Sequence, residues 1–290
     1  MAFGSNIRTW FGNRWHDGDV MVMRAADHGI WQGSSVFDGA RYFEGLAPDL
    51  DAHCARVNRS AEALMITPTL TPGRIAEIAR EGLSAYRPDQ SVYIRPMYWA
   101  IHGSELGVAP APDETGFALC LEEVAMPAPG DSTTLTTTRF RRPVLEDAVC
   151  NAKAGCLYPN NARMLVEAQR KGYGNALVAD AMGNVAESAT ANVFMVKDGE
   201  VFTPIANGTF LSGITRARHI ANLRADGVTV HEAVLTFDDF HKADEVFLSG
   251  NFTKVTPVRE FDGTAYPAPG PVTKRVRELY WDWAASAGQG

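Results

Sequence analysis

Six lysines are present in a chain of 290 residues, and one of them sits among neighbours better suited to chemistry than to solvation. A lysine amine forms an imine with an aldehyde once its pKa is lowered, and lysine is a side chain whose ionisation yields readily to burial. Lys171 stands just before Gly172 at an expected helix end, where a cation complements the dipole. Lys197 precedes the turn pair Asp198-Gly199, Lys242 follows a histidine in a polar stretch, and Lys254 stands in a Thr-rich loop beside a strand. Lys274 lies in a charged helix, TKRVRELY. All five read as surface lysines. Lys153 lies in NAKAGCLYPNNARM between Ala152, Ala154 and Gly155, with no acidic residue in the six positions that follow it. Small neighbours let another body approach the backbone closely. These local features leave two readings open, a functional amine and a solvated loop lysine.

The elements that must position such a lysine follow from apolar periodicity and turn chemistry. Residues 7–15 and 19–23 read as a hairpin around His16-Asp17-Gly18, and GSSVFDGARYF (33–43) as a strand region broken by glycine. Residues 50–65 carry apolar side chains at helical intervals, with Asp51 as a cap, and Thr71-Pro72 opens a second helix. Residues 91–100 and 115–123 are expected strands. The Pro-, Gly- and Thr-rich stretch 126–134 reads as a linker. Beyond it come a helix over 161–170, strands over 175–180, 185–188, 192–196 and 200–204, and a helix over 214–223. Strands over 243–248 and 256–260 and a last helix over 272–284 complete the pattern. The class is α+β, in two domains (1–125 and 137–290) joined by residues 126–136, with no internal repeat.

Composition narrows the function. With 46% hydrophobic and 21% charged residues the chain can bury a sizeable core, and a formal charge of −7 argues against nucleic-acid binding. Cys54, Cys120, Cys150 and Cys156 show no C-x-x-C spacing, so neither zinc nor a redox pair is indicated. No apolar signal core stands in residues 1–15 and no run of eighteen apolar residues exists, so a cytoplasmic protein without a membrane span is expected.

Nine segments, in order, carry a resemblance. They are GSSVFDGARYF, LDAHCARVNRSA, YIRP, LGV, NAKAG followed by Tyr158, VAESATANVF, LSGITR, ADEVFLSG and GPVTKR, spread from about residue 19 to 276. Together they resemble the fold-type IV aminotransferases, and within them the branched-chain amino acid aminotransferase group. The resemblance implies a D-amino acid aminotransferase-like fold, with a smaller N-terminal α/β domain and a larger C-terminal domain with a β-barrel-like core. It implies pyridoxal 5'-phosphate as cofactor, with Lys153 as Schiff-base lysine and proton carrier between the substrate α-carbon and the cofactor. Glu187 would face the pyridine nitrogen, which must stay protonated for the ring to draw electrons. Ile214 and Thr215, at a helix start after Ser212 and Gly213, would meet the phosphate, and Arg56 would add a bidentate contact. Tyr158 would bond the phenolic oxygen. Tyr93 and Arg95, two apart on one strand face, would shape the carboxylate and side-chain subsites. Phe37 would line the apolar pocket, completed by Leu106, Gly107 and Val108 of a partner subunit in a homodimer or higher homo-oligomer. Backbone amides at Asn251 and Phe252 would hold the α-carboxylate.

Each residue also has a plainer reading. Glu187 could flank a turn, Ser212 could cap an ordinary helix, and Arg56 could be a helix-surface charge. Tyr158 and Phe37 could be core residues, and Arg95 a structural arginine. The implied reaction is transamination of an L-branched-chain or other hydrophobic amino acid with 2-oxoglutarate. D-amino acid or (R)-amine transamination and aminodeoxychorismate lysis are the alternatives within the fold. Two departures bear on substrate range. Gln32, after Trp31, stands where the family commonly has tyrosine, and Asn251-Phe252 stand where relatives have small residues.

Overall fold

The computed structural model describes residues 4–287. The described residues form two compact units, one running up to residue 126 and including 152–157, the other made of 127–151 and the residues from 158 onward. Sequence order alone groups 152–157 with the second unit; by packing, this short stretch carrying Lys153 belongs to the first.

In the first unit, strands β1 (Ser5–Phe11) and β2 (Arg14–Asp17) precede a short helix α1 (His28–Trp31) and strands β3 (Ser35–Phe37) and β4 (Ala40–Tyr42). Helices α2 (Leu50–Ala63) and α3 (Pro72–Leu83) and strands β5 (Val92–Ala100) and β6 (Thr115–Glu123) follow. The six strands form one antiparallel sheet in the order β2-β1-β6-β5-β3, with β4 also paired to β5. The first hairpin corrects an expectation. Its turn is Gly12-Asn13, both at positive φ (60° and 61°), as a two-residue type I′ turn requires, and residues 19–23 form no strand. The Gly-Asn pair was the better turn signal, and His16-Asp17 belongs to β2. Along β5, Val92, Ile94 and Tyr98 are buried, and the Tyr98 hydroxyl accepts from Leu70 N (3.2 Å) in the α2–α3 connection. Tyr93, Arg95 and Met97 alternate with them and are half-buried on the opposite face. Thr71 caps α3 by accepting from Arg74 N (3.2 Å), but Asp51 does not cap α2; the N-cap is Asp49, at φ 56° with no side-chain bond to the helix.

The second unit begins with β7 (Thr133–Arg141) and, after residues 152–157, α4 (Tyr158–Arg170). Strands β8 (Asn175–Ala179), β9 (Val185–Ser188), β10 (Asn192–Lys197) and β11 (Glu200–Pro204) lead to α5 (Ile214–Ala225). Then come β12 (Val230–Ala233), α6 (Phe237–His241), β13 (Glu245–Gly250), β14 (Lys254–Phe261), β15 (Thr264–Ala265) and α7 (Pro271–Ala287). The sheet order is β12-β11-β10-β13-β14-β7-β8-β9, with β15 paired to β14. Period-2 alternation sorts the side chains into two layers. Val193 and Met195 of β10, Val246 and Leu248 of β13, Leu177 of β8 and Val185 of β9 share one core with Phe240 and Phe261, so the sheet curls around it. The intervening Phe194, Val196 and Phe247 face outward and pack with Ile220 and Leu223 of α5 and Val276 of α7. Ala176 and Val178 of β8 meet Met164 and Ala168 of α4. Strands β7, β12 and β15 and helix α6 were not legible beforehand. The β7 run TTLTTTRFR merges with the polar stretch before it, and the others are five residues or shorter.

Candidate active site

The lysine singled out by its small neighbours is held at the edge of the first unit's sheet. Lys153 N donates to Ser60 Oγ (3.0 Å) and Lys153 O accepts from Phe37 N (3.1 Å), while Ala154 bridges to Val36. A Cβ on Gly155 would overlap Ser35 Oγ, so the small residues around Lys153 are there because strand β3 passes against them. The Lys153 ammonium lies 4.9 Å from the centre of the Phe37 ring.

Three rows of side chains run across the same face. Register places Arg41, Tyr93 and Glu122 opposite one another on β4, β5 and β6, with Arg95 and Cys120 in the next row and Phe37, Met97 and Ala118 in the third. Phe37, Tyr93, Arg95 and Lys153, four of the residues singled out from sequence, are thus brought to one unit. Arg95 forms an ion pair with the buried Glu122 and lies 5.3 Å over the Tyr93 ring. Arg41 is fully buried, donates to Val124 O (2.8 Å), and has its pKa pushed down to about 10 by burial, against the favourable field of Tyr93. A Cβ on Gly39 would overlap the Tyr93 hydroxyl, which explains the glycine in VFDGARY.

Arg56 has a partner that the sequence did not show. Its Nε and Nη2 donate to Asp38 Oδ2 and Oδ1 (2.7 and 2.8 Å), so this edge of the guanidinium is held by a carboxylate. His53 Nδ1 shares Asp38 Oδ1 at 2.7 Å. Burial of Asp38 would raise its pKa, but the Arg56 charge and hydrogen bonds, with those of His53, outweigh it and hold the carboxyl well below its usual range. Arg56 and Ser60 are four apart on α2, so one helix face holds both this network and the Lys153 backbone. Asp38 and His53 were missed from sequence because an aspartate between Phe37 and Gly39 reads as a turn residue.

In the second unit Glu187 is no solvated turn glutamate. Arg142 Nε forms an ion pair with it at 3.1 Å, and Asn192 Nδ2 donates to its Oε2 at 3.2 Å. Arg142 is itself fixed by Asn161 Oδ1 (2.6 Å), Ser188 O (2.8 Å) and Ala189 O (3.1 Å). Asn192 also donates to Leu211 O (3.4 Å), and its Oδ1 lies where a Cβ on Gly213 would be. Gly213 is the N-cap of the twelve-residue α5; having no side chain, it admits the Asn192 amide against the start of that helix. Thr215 is buried. One asparagine therefore joins a carboxylate to a helix start. Arg142 and Asn192 gave no motif of their own in sequence.

Tyr158, expected as either a cofactor ligand or a core tyrosine, opens α4 and is 37% exposed, so the core reading fails. The sequence placed the start of this helix at 161. Asn251 turns its side chain back to accept from Lys254 Nζ at 2.5 Å. Lys254 is a second correction: it is fully buried, lies over the Tyr280 ring and adopts φ 64°, although its sequence neighbours suggested a surface lysine. Phe252 is half-buried in the same turn. Leu106 and Val108 are 82% and 73% exposed on a loop closed by its own bonds, Ser104 N to Ala109 O and Gly107 N to Ser104 O, with Gly107 at φ 74°. Gln32 ends α1 and is exposed.

Comparison with known proteins identifies the family of the chain. The family profile of amino-transferase class IV matches residues 35–261. A branched-chain-amino-acid aminotransferase of Salmonella typhimurium is 31% identical over 288 residues, covering 94% of this chain and 91% of the relative. A crystal structure of an aminotransferase from Brucella abortus bound to the cofactor PLP is 57% identical, with TM-score 0.94, covering 96% of this chain and 99% of that one. A branched-chain aminotransferase from Thermoproteus uzoniensis with norvaline superposes with TM-score 0.85 at 25% identity, covering 94% and 93%. With a family match over most of the chain and relatives that agree along nearly its full length, the protein belongs to the class IV aminotransferases, in the branched-chain aminotransferase group.

Proposed function

We propose that the protein is a pyridoxal-phosphate-dependent transaminase that moves the amino group of an L-branched-chain or other hydrophobic amino acid to a 2-oxo acid such as 2-oxoglutarate. The observation that carries this is the Glu187–Asn192–Gly213 linkage, since a phosphorylated pyridine needs both a carboxylate and an anion-binding helix start. The donor set fits. Lys153 Nζ would hold the cofactor, Glu187 would keep the proton on its ring nitrogen, and Tyr158 would donate to its phenolic oxygen. Ile214 and Thr215 would bind the phosphate through backbone amides and the Thr215 hydroxyl, with Arg56, anchored by Asp38, adding positive charge. When bound, the cofactor supplies an electron sink for charge that develops on the substrate α-carbon.

The chain's own part is positioning and proton transfer. Lys153 Nζ would take and carry the substrate α-proton, so one amine would serve as anchor and base. Phe37 borders the substrate side chain, Tyr93 and Arg95 line the carboxylate and side-chain subsites, and the Asn251-Phe252 turn offers backbone amides to the α-carboxylate. Leu106, Gly107 and Val108 complete the pocket of a second copy in a homodimer. Two strongly exposed apolar side chains on a self-closed loop support that reading, since such groups mark interfaces. Branched-chain substrates are supported by the names of the relatives, and a hydrophobic range by the norvaline in one of them. The setting we propose is the cytoplasm; among the described residues no helix is long and apolar enough to cross a membrane.

The test is a panel of L-amino donors with 2-oxoglutarate, combined with borohydride reduction of the purified holoenzyme. Transamination of leucine, isoleucine or valine and a reduced adduct on the Lys153 peptide are expected. An adduct on another lysine, Lys254 included, would sink the assignment. Release of pyruvate from aminodeoxychorismate in place of amino transfer would make the protein a lyase.

A further inference from the structure

The face that carries Tyr93 and Arg95 also carries an acid that the transamination reading does not use. Glu122 is buried, stands directly opposite Tyr93 in the β5–β6 register and ion-pairs with Arg95 one row away. Its other contacts are the Gly4 amide, which donates to Oε2 at 3.1 Å, and Cys120 Sγ at 3.6 Å. The guanidinium expected to receive a substrate carboxylate thus already holds one. Arg41 lies in the same row, buried and directed to Val124 O.

From this arrangement we propose that Glu122 is a specificity-determining residue that sets the preference between monocarboxylate and dicarboxylate substrates. A substrate with a second carboxylate must share Arg95 with Glu122 and accept a like charge beside it. A substrate with an apolar side chain meets a neutral ion pair and no such penalty. Discrimination comes here from a repulsive group, which is effective where charges are desolvated. 2-Oxoglutarate remains an acceptor, held less tightly than Arg95 alone would hold it. Glu122 also gives the half-buried Arg95 a counter-ion when an apolar substrate is bound. The inference rests on the reading that Tyr93 and Arg95 line the substrate pocket.

The experiment uses the aminated holoenzyme in single half-reactions, followed by cofactor absorbance, with 2-oxoglutarate or 4-methyl-2-oxopentanoate as the oxo acid. Glu122→Gln should raise the ratio of kcat/KM for 2-oxoglutarate over 4-methyl-2-oxopentanoate by about tenfold, chiefly through KM, and Glu122→Asp should return it toward wild type. A ratio that stays put, or a parallel fall for both oxo acids, overturns the proposal, because a merely structural glutamate affects both alike. A measurement on wild type needs no variant to fold. Glutarate should inhibit no better than glutarate monoamide, an isostere that keeps one carboxylate and carries an uncharged amide in place of the other; tenfold tighter binding of glutarate would refute the repulsion. Arg95→Gln separates the two layers of the inference. If it alters KM while Glu122→Gln does not change the ratio, only the role of Glu122 is wrong. If Arg95→Gln leaves both KM values unchanged, Arg95 is not in the pocket and the proposal falls with it.

Discussion

At the scale of the residue, the site depends on charges held in place by partners that are themselves held. The role proposed for Glu187 at a ring nitrogen requires a fixed carboxylate, and Arg142 and Asn192 hold it from two sides. Glu187→Gln should keep the cofactor yet slow the half-reaction by at least tenfold, since a ring nitrogen that loses its proton withdraws electrons poorly. Stopped-flow rates within a factor of about two of wild type, under roughly half a kcal/mol of barrier, would remove Glu187 from this role. Asp38 illustrates the same logic for stability. With the carboxyl fully buried between Arg56 and His53, Asp38→Asn leaves Arg56 without its counter-ion and should cost about 3–5 kcal/mol in urea unfolding at pH 7. Its pKa is depressed in the folded state, so this stabilisation is present above the ordinary carboxyl value of about 4. It is lost as pH falls below that value toward the depressed one. The stability gap between wild type and Asp38→Asn should therefore be full at pH 7 and narrow below about pH 4; a constant gap down to pH 2 would contradict the assigned charge state.

At the scale of the element, the informative positions are places where two backbones or a backbone and a side chain come too close for a Cβ. Gly213 is one, because Asn192 Oδ1 fills the space a side chain would take at the start of α5. Gly213→Ala should push Asn192 off both Glu187 and the helix start. The expected result is at least tenfold weaker pyridoxal-phosphate binding, read by fluorescence titration, with a far-UV spectrum unchanged. Unaltered affinity would mean that the α5 start is not the phosphate site. Such close approaches are half legible in sequence. A glycine before Ile-Thr suggests a helix start, but that an asparagine twenty-one positions earlier fills the space beside it is a fact of sheet packing. The small residues around Lys153 are a similar case. Their size was readable, and its cause, strand β3 lying against them, was not.

At the scale of the whole molecule, the expected active form is at least a homodimer. The apolar Leu106 and Val108 stand exposed on a loop that spends its polar groups on itself, and burying them against a second copy removes that surface from water. Sedimentation at assay concentration should report a dimer or larger assembly. Leu106→Asp should weaken assembly and activity together, and a fully active monomer would rule the interface out. Helices and strands long enough to show an apolar pattern, α2, α3, β5, β6 and α7 among them, were legible because each must bury apolar side chains whatever its partner. Strands β7 and β12 escaped detection because their stability comes from neighbours in the sheet and not from their own pattern.

What the sequence determined by itself was the chemistry on offer. It showed a lysine among small residues, a carboxylate in AESATANVF, a glycine-opened helix and a tyrosine–arginine pair on one strand face, in an order that marks the family. Local composition carries such signals because cofactor chemistry demands particular residue types in particular backbone settings. Only the tertiary structure decided which charges are spent on one another. It gave the Arg56 edge to Asp38, set Glu122 against Arg95, and buried Lys254 behind Asn251. Those pairings join residues brought together by sheet register, strand crossing and turn geometry. A charge in a sequence does not reveal its partner, because the partner is chosen by proximity in a low-dielectric interior, where an unpaired ion is too costly to leave alone.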